Sequence, residues 1–166
     1  MSDVLADAKT KPENGQLEDF LPYQLSIASN AVSALIAERY RKRFGIKIPE
    51  WRIMAVLGNR HETRIGVTQR ELTEVTLMDK VAVNRACKVL EDRGLIERLP
   101  NAEDGRSHLL ALTGEGRAIH LEVMPLALET ESELLKDFDP GERAALRVML
   151  ERMRERAELM MREAAL

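Results

Sequence analysis

A mainly α-helical fold carrying one small β-hairpin is what this sequence predicts, and three observations carry the prediction. Leu, Ala, Met, Glu and Arg dominate, while aromatics make up only 4% of 166 residues, a composition that favours helix. Two helix-start signatures stand close together, at Thr68-Gln69-Arg70-Glu71 and Thr76-Leu77-Met78-Asp79. Beyond them, two short apolar runs, Leu95 to Leu99 and Leu109 to Leu112, flank the turn formers Pro100, Asn101, Asp104 and Gly105, as in a β-hairpin.

Residues 1–16 are polar and mixed in charge, the composition of a disordered arm. From Glu18 to Phe44 the residues Leu21, Leu25, Ala28, Val32, Leu35 and Ile36 keep a helical spacing, and Gly45 suits the C-cap. A second helix starts at Ile48-Pro49-Glu50, with proline in its first turn, and runs to about Asn59. Thr68 and Glu71 form a capping box for a short helix ending near Val75. The next helix spans Asp79 to Arg93 and stops at Gly94. Two helices with so short a link have helix-turn-helix spacing. With the hairpin as a wing, the expected lobe is a winged helix-turn-helix over residues 48–113.

Thr113 is expected to cap a long helix to about Phe138, kinked at Pro125. Asp139-Pro140-Gly141-Glu142 then restarts a helix bearing Leu146, Met149, Leu150, Met153, Ala157, Met160 and Met161. This stripe exceeds what one small lobe can cover. Residues 17–47 and 114–166 are therefore expected to be dimerisation helices flanking the lobe.

Composition excludes several classes. No apolar run approaches the ~18 residues of a membrane span, and the first residues lack the apolar core of a secretory signal. The single cysteine, Cys87, allows no internal disulfide. A cytoplasmic location is expected. His61, His108 and His120 lack metal-ligand spacing, and no nucleophile, phosphate-loop or dinucleotide motif is present. The reading is therefore no catalytic site, no cofactor and no metal. Net charge is −3, yet Arg60 to His108 holds nine basic and nine acidic residues, so the excess acid lies elsewhere. A nucleic-acid reader needs a local basic face, not a basic chain.

That face falls on the helix from Asp79. At about 100° per residue, Val83, Ala86, Cys87 and Leu90 share one side, and Val81, Asn84, Arg85 and Lys88 the other. Asn and Arg can pair with adenine and guanine edges, and Val81 can meet a thymine methyl. Lys80 in the first turn suits a phosphate. At the hairpin tip, Asp104 is expected to hold Arg106 through a carboxylate–guanidinium pair and aim it at a minor groove. Cys87, on the inward side, reads as a buried, inert thiol. Arg39, Arg41, Lys42 and Arg43 read as a solvated helix end.

From about residue 18 onward the chain resembles the MarR family of bacterial transcription regulators. The likeness runs through Thr68-Gln-Arg-Glu-Leu72, Asp79-Lys-Val-Ala-Val-Asn-Arg-Ala-Cys-Lys-Val-Leu-Glu91, Gly94-Leu-Ile-Glu-Arg98, Asp104-Gly-Arg-Ser107 and Leu112-Thr-Gly-Glu-Gly116. This resemblance implies a homodimer with intertwined terminal helices, seated on double-stranded DNA at a pseudo-palindromic operator. Base-reading positions then fall on Val81, Ala82, Asn84, Arg85 and Lys88. Backbone-positioning contacts fall on Thr68, Gln69, Arg70 and Lys80, and the wing contributes Arg106 with Asp104 and Ser107. One departure is Val81-Ala82, where the family often has Ser or Thr.

Many relatives are repressors released by a small aromatic ligand bound between the dimerisation helices and the lobe. By that resemblance Ser26, Ser29, Asn30, Trp51, Arg52, His61 and His120 are the ligand-binding candidates, with an aromatic carboxylate or its thioester as the effector class. The family's redox branch uses a cysteine near the N-terminus, which this chain lacks. The competing reading is a winged-helix protein-interaction module without sequence-specific DNA binding.

Overall fold

The computed structural model describes residues 16–60 and 66–165. The expected disordered arm, all but residue 16, and His61 lie outside the described residues.

A 3₁₀ turn, Leu17–Asp19, leads into α1 (Leu21–Phe44). Pro22 sits in the first turn of α1. Gly45 ends it with φ 63°, the left-handed conformation that a C-cap demands and glycine adopts without a Cβ clash. Helix α2 (Ile48–Arg60) follows, and its buried Glu50 accepts the Lys47 amide at 2.9 Å, closing the helix start. Next come β1 (Val67–Thr68), α3 (Gln69–Thr76) and α4 (Lys80–Asp92). The hairpin is β2 (Ile96–Pro100) and β3 (His108–Leu112), and the chain ends with α5 (Gly114–Leu134) and α6 (Pro140–Ala164).

The sheet is antiparallel with order β1-β3-β2. Ile96 pairs with Leu112 and Pro100 with His108, while Val67 pairs with Leu110 and Thr68 with Leu109. The sequence reading has the hairpin but lacks β1. Two residues carry no alternation, and Thr68 already serves as a helix cap.

The capping box of α3 is formed. Thr68 Oγ1 accepts the Glu71 amide at 3.2 Å, and Glu71 Oε2 accepts the Thr68 amide at 2.9 Å. The second signature works differently from expectation. Asp79 is the cap of α4, its Oδ1 accepting the Ala82 amide at 2.8 Å. Thr76 is the last residue of α3, and its hydroxyl donates back to the Leu72 carbonyl at 2.6 Å. Leu77 makes the turn with φ 52°, a left-handed conformation uncommon for leucine.

Thr113 caps α5 as expected, accepting the Gly116 amide at 3.1 Å, and its hydroxyl donates to the Gly94 carbonyl at 2.7 Å. The helix ends at Leu134, earlier than the expected Phe138. The capping box of Asp139 and Glu142 then opens α6.

By packing, the chain divides into two compact units, one through Leu126 and one from Ala127. The first holds the core: Ala37 and Tyr40 of α1; Trp51, Ile53, Met54 and Leu57 of α2; Leu72 of α3; Val83, Ala86, Cys87 and Leu90 of α4; Ile96 and Leu110 from the sheet; and Val123. In the second unit, Arg143 bonds the carbonyls of Leu135 and Phe138 at 2.5 and 3.0 Å. Helix α6 buries no residue and exposes Leu146, Met149, Leu150, Met153, Met160 and Met161. Among the described residues no helix is long and apolar enough to cross a membrane.

Candidate nucleic-acid interface

Helix α4 is amphipathic in the register its sequence sets. Val83, Ala86, Cys87 and Leu90 enter the core, while Lys80, Val81, Asn84, Arg85 and Lys88 are exposed and Ala82 is half-buried. Val81 is 65% exposed, so its isopropyl group is open to whatever the helix docks on. Lys88 pairs with Asp92 at 3.5 Å, one turn on. Exposed pairs of this kind contribute well under about 1 kcal/mol, so phosphate can compete for the lysine.

The first turn of α3 stands beside this face. Arg70 pairs with Glu74 at 2.9 Å. Gln69 donates from Nε2 to Asn84 Oδ1 at 3.3 Å, linking α3 to the exposed row of α4. Gln69, Arg70, Thr73, Lys80, Val83 and Asn84 surround a depression of about 430 Å³ between the two helices. Burial pushes the Cys87 thiol up to about 11, with a hydrogen bond from the Gln69 side chain pulling the other way. The thiol is protonated near neutral pH and enclosed, as an inert core cysteine should be.

The hairpin tip is ordered by its own polar groups. Asn101 Nδ2 donates to Ser107 Oγ at 2.8 Å, and Ser107 Oγ donates to the Asp104 carbonyl at 3.2 Å. Asp104 does not hold the guanidinium of Arg106 as expected. Its Oδ1 accepts the Arg106 backbone amide at 3.0 Å. An aspartate two residues upstream closes an Asx turn more readily than it reaches a long side chain. The turn fixes the Arg106 backbone, and its exposed side chain extends from there. A second depression of about 380 Å³ brings Thr68, Gln69, Arg70, Arg98, Asp104, Arg106 and Ser107 together. The sequence-derived interface residues of α3 and the wing thus share one surface.

Two arginines outside the expected set brace this lobe. Arg98 makes a two-pronged contact with Glu91, at 2.5 and 2.9 Å, tying β2 to α4. Arg93, just past α4, donates to the carbonyls of Phe44 and Gly45 at 2.6 and 3.1 Å. Arg93 reaches α1 from 48 positions away, so no local spacing announces it, while Arg98 and Glu91 are seven apart but on different elements.

The ligand-binding candidates scatter. Trp51 is buried and stacks with His120, ring centroids 5.7 Å apart, and the Tyr40 ring lies 5.5 Å from that of Trp51. The His120 ring lies against Gly58 so closely that a Cβ there would sit 2.3 Å from Nε2. Burial, then the like charge of Arg117, lowers the His120 pKa. Burial also pushes the Tyr40 phenol up to about 12. Arg52 is exposed and donates to Ser33 Oγ at 3.3 Å, while Ser26, Ser29 and Asn30 lie exposed along α1. Beside His120 an open depression of about 490 Å³ is lined by Ala55, Val56, Asn59, Val75 and Met124. Among the described residues no acidic, histidine or cysteine cluster could hold a metal ion.

Comparison with known proteins agrees with this architecture. The MarR family profile matches residues 44–107. An uncharacterized HTH-type transcriptional regulator of Bacillus subtilis strain 168, YwoH, is 29% identical over 119 residues, covering 70% of this chain and 83% of that protein. A MarR/EmrR family regulator from Acinetobacter sp. ADP1 superposes with TM-score 0.77 at 26% identity, over 87% of this chain and 99% of its own. A mutant Escherichia coli MarR crystallised with operator DNA superposes with TM-score 0.69 at 27% identity, over 80% of this chain and 92% of its own.

Proposed function

Residues 44–107 match the MarR family of transcriptional regulators, and from that premise we propose that this chain is a homodimeric, sequence-specific DNA-binding repressor released by a small ligand. The observation that carries DNA reading is the outer row of α4. Val81, Asn84, Arg85 and Lys88 are exposed on a helix anchored by four core residues, beside a wing that presents Arg106. Such a helix enters a major groove, and a hairpin arginine reaches the adjoining minor groove. The E. coli relative crystallised with operator DNA supports the same reading. Thr68, Gln69, Arg70 and Lys80 serve the phosphate backbone, which fixes register without reading sequence.

Dimerisation is supported by α6, whose row of Leu and Met is exposed among the described residues. The effector proposed is an aromatic carboxylate or its thioester, lying near Trp51 and His120. His120 is held neutral, so the exposed guanidinium of Arg52 is the group that answers the carboxylate. Binding would shift the spacing of the two recognition helices away from the operator half-sites. The protein works in the cytoplasm in this reading.

Selection from a random duplex pool tests the proposal. Enrichment of a palindrome with half-sites about ten base pairs apart is expected, with affinity that falls steeply with salt. Only weak, salt-sensitive binding without enrichment would favour the protein-interaction module. An aromatic-acid panel that leaves both the thermal midpoint and operator binding unchanged would remove the effector assignment.

A further inference from the structure

Resting on that DNA-reading assignment, we propose that Gln69 is a positioning residue that sets the base preference of Asn84, by holding its carboxamide oxygen inward and leaving only its N–H₂ to face DNA. Asparagine reads adenine with both ends of its carboxamide, the oxygen accepting from N6 and the nitrogen donating to N7. In this chain the oxygen is already engaged. Gln69 Nε2 donates to Asn84 Oδ1 at 3.3 Å from the first residue of α3.

Gln69 is half-buried while Asn84 is exposed on α4, so the Asn84 oxygen is the end of its carboxamide that the protein engages. Asn84 Nδ2 lies on the other arm of the same carboxamide, on the exposed face of α4.

A lone amide donor suits a base edge that only accepts. Guanine offers O6 and N7, and thymine offers O4. Adenine loses the oxygen half of its pair, and cytosine presents only a donor. At the position Asn84 reaches, a keto base, G or T, is the expected preference.

The test is duplex selection with the full-length wild type, Gln69→Glu and Gln69→Ala, reading base frequencies position by position. Gln69→Glu replaces a donor by an acceptor of the same shape. It draws in Asn84 Nδ2 and turns Oδ1 outward. The preference at one position per half-site should then move from G or T to A or C, with the other positions unchanged. Gln69→Ala should flatten that position, because the carboxamide is free to turn. The added charge of Gln69→Glu weakens binding generally, so base identity is the readout and not affinity. Glutamate suits the first turn of a helix, and a thermal melt confirms that both variants fold. Should Gln69→Glu keep the wild-type base at every position, the proposal is overturned while the regulator reading stands. Should the wild type itself select no site, both fall.

Discussion

The guanidinium of Arg93 closes on the carbonyl of Phe44 at 2.6 Å, and on that of Gly45 at 3.1 Å, so a residue just past α4 caps the C-terminus of α1. A cation at a helix C-terminus satisfies orphan carbonyls and complements the helix dipole. Arg93→Ala should cost about 1–2 kcal/mol, lowering the thermal midpoint by roughly 2–8 °C in a chain of this length. Arg93→Lys should recover only part of it, having no fork to span two carbonyls. Differential scanning calorimetry of the two variants decides this.

Gly116 cannot carry a side chain. A Cβ there would lie 1.9 Å from the Leu95 carbonyl oxygen, and that oxygen also accepts the Thr113 amide at 3.1 Å. Backbone on both sides leaves no flexible group to yield. Gly116→Ala is expected to destabilise by more than about 3 kcal/mol in urea titration. Gly105→Ala, with nothing within 4 Å, should stay within about 1 kcal/mol of wild type.

His120 makes stability depend on pH. Burial, with Arg117 adding like charge, holds its folded pKa below the ordinary 6.5. The unfolded chain therefore takes up the proton first as pH falls. This part of the stability is complete above about pH 6.5, declines as pH falls through the lowered folded value, and levels off below it. Urea midpoints at about pH 7.5 and about pH 5 should differ less for His120→Gln than for wild type.

Arg85 and Arg106 should separate by the groove they serve. Arg85→Ala is expected to cost about 1–3 kcal/mol on the selected site and to relax preference at one base position. Arg106→Ala should weaken binding with little change at the positions α4 reads, its effect tracking A·T content in the flanks. Fluorescence anisotropy on the selected duplex and on flank variants measures both.

In α6, Met153→Glu places a charge in an exposed row that includes Met149 and Met160. Sedimentation equilibrium is expected to show a dimer for wild type and a shift toward monomer for the variant. An unchanged mass would count against α6 as the seam.

Much of this organisation was legible in local spacing. The cap at Thr68, the C-cap at Gly45, the inward row of α4 and the hairpin all follow from residues within a few positions of one another. What stayed hidden depends on partners distant in sequence. Arg93 meets α1 from 48 positions away, and Gln69 meets Asn84 from 15. Leu77 hides for another reason: nothing in a leucine announces φ 52°, and the side chain is exposed, so no burial pattern marks it. Asp104 meets the Arg106 amide and not the expected guanidinium, since a two-residue separation serves the amide better.

The middle strand β3 has a consequence for how such a protein can change. One of its edges holds β1, whose Thr68 starts α3, and its other edge holds β2, which leads to the Arg106 turn. A one-residue slip in a strand sends every side chain to the opposite face. An insertion in β3 would therefore misplace the helix pair and the wing together. New sequence preferences must come from swapping side chains on an unaltered frame, and variation in length is confined to the tip between residues 100 and 108.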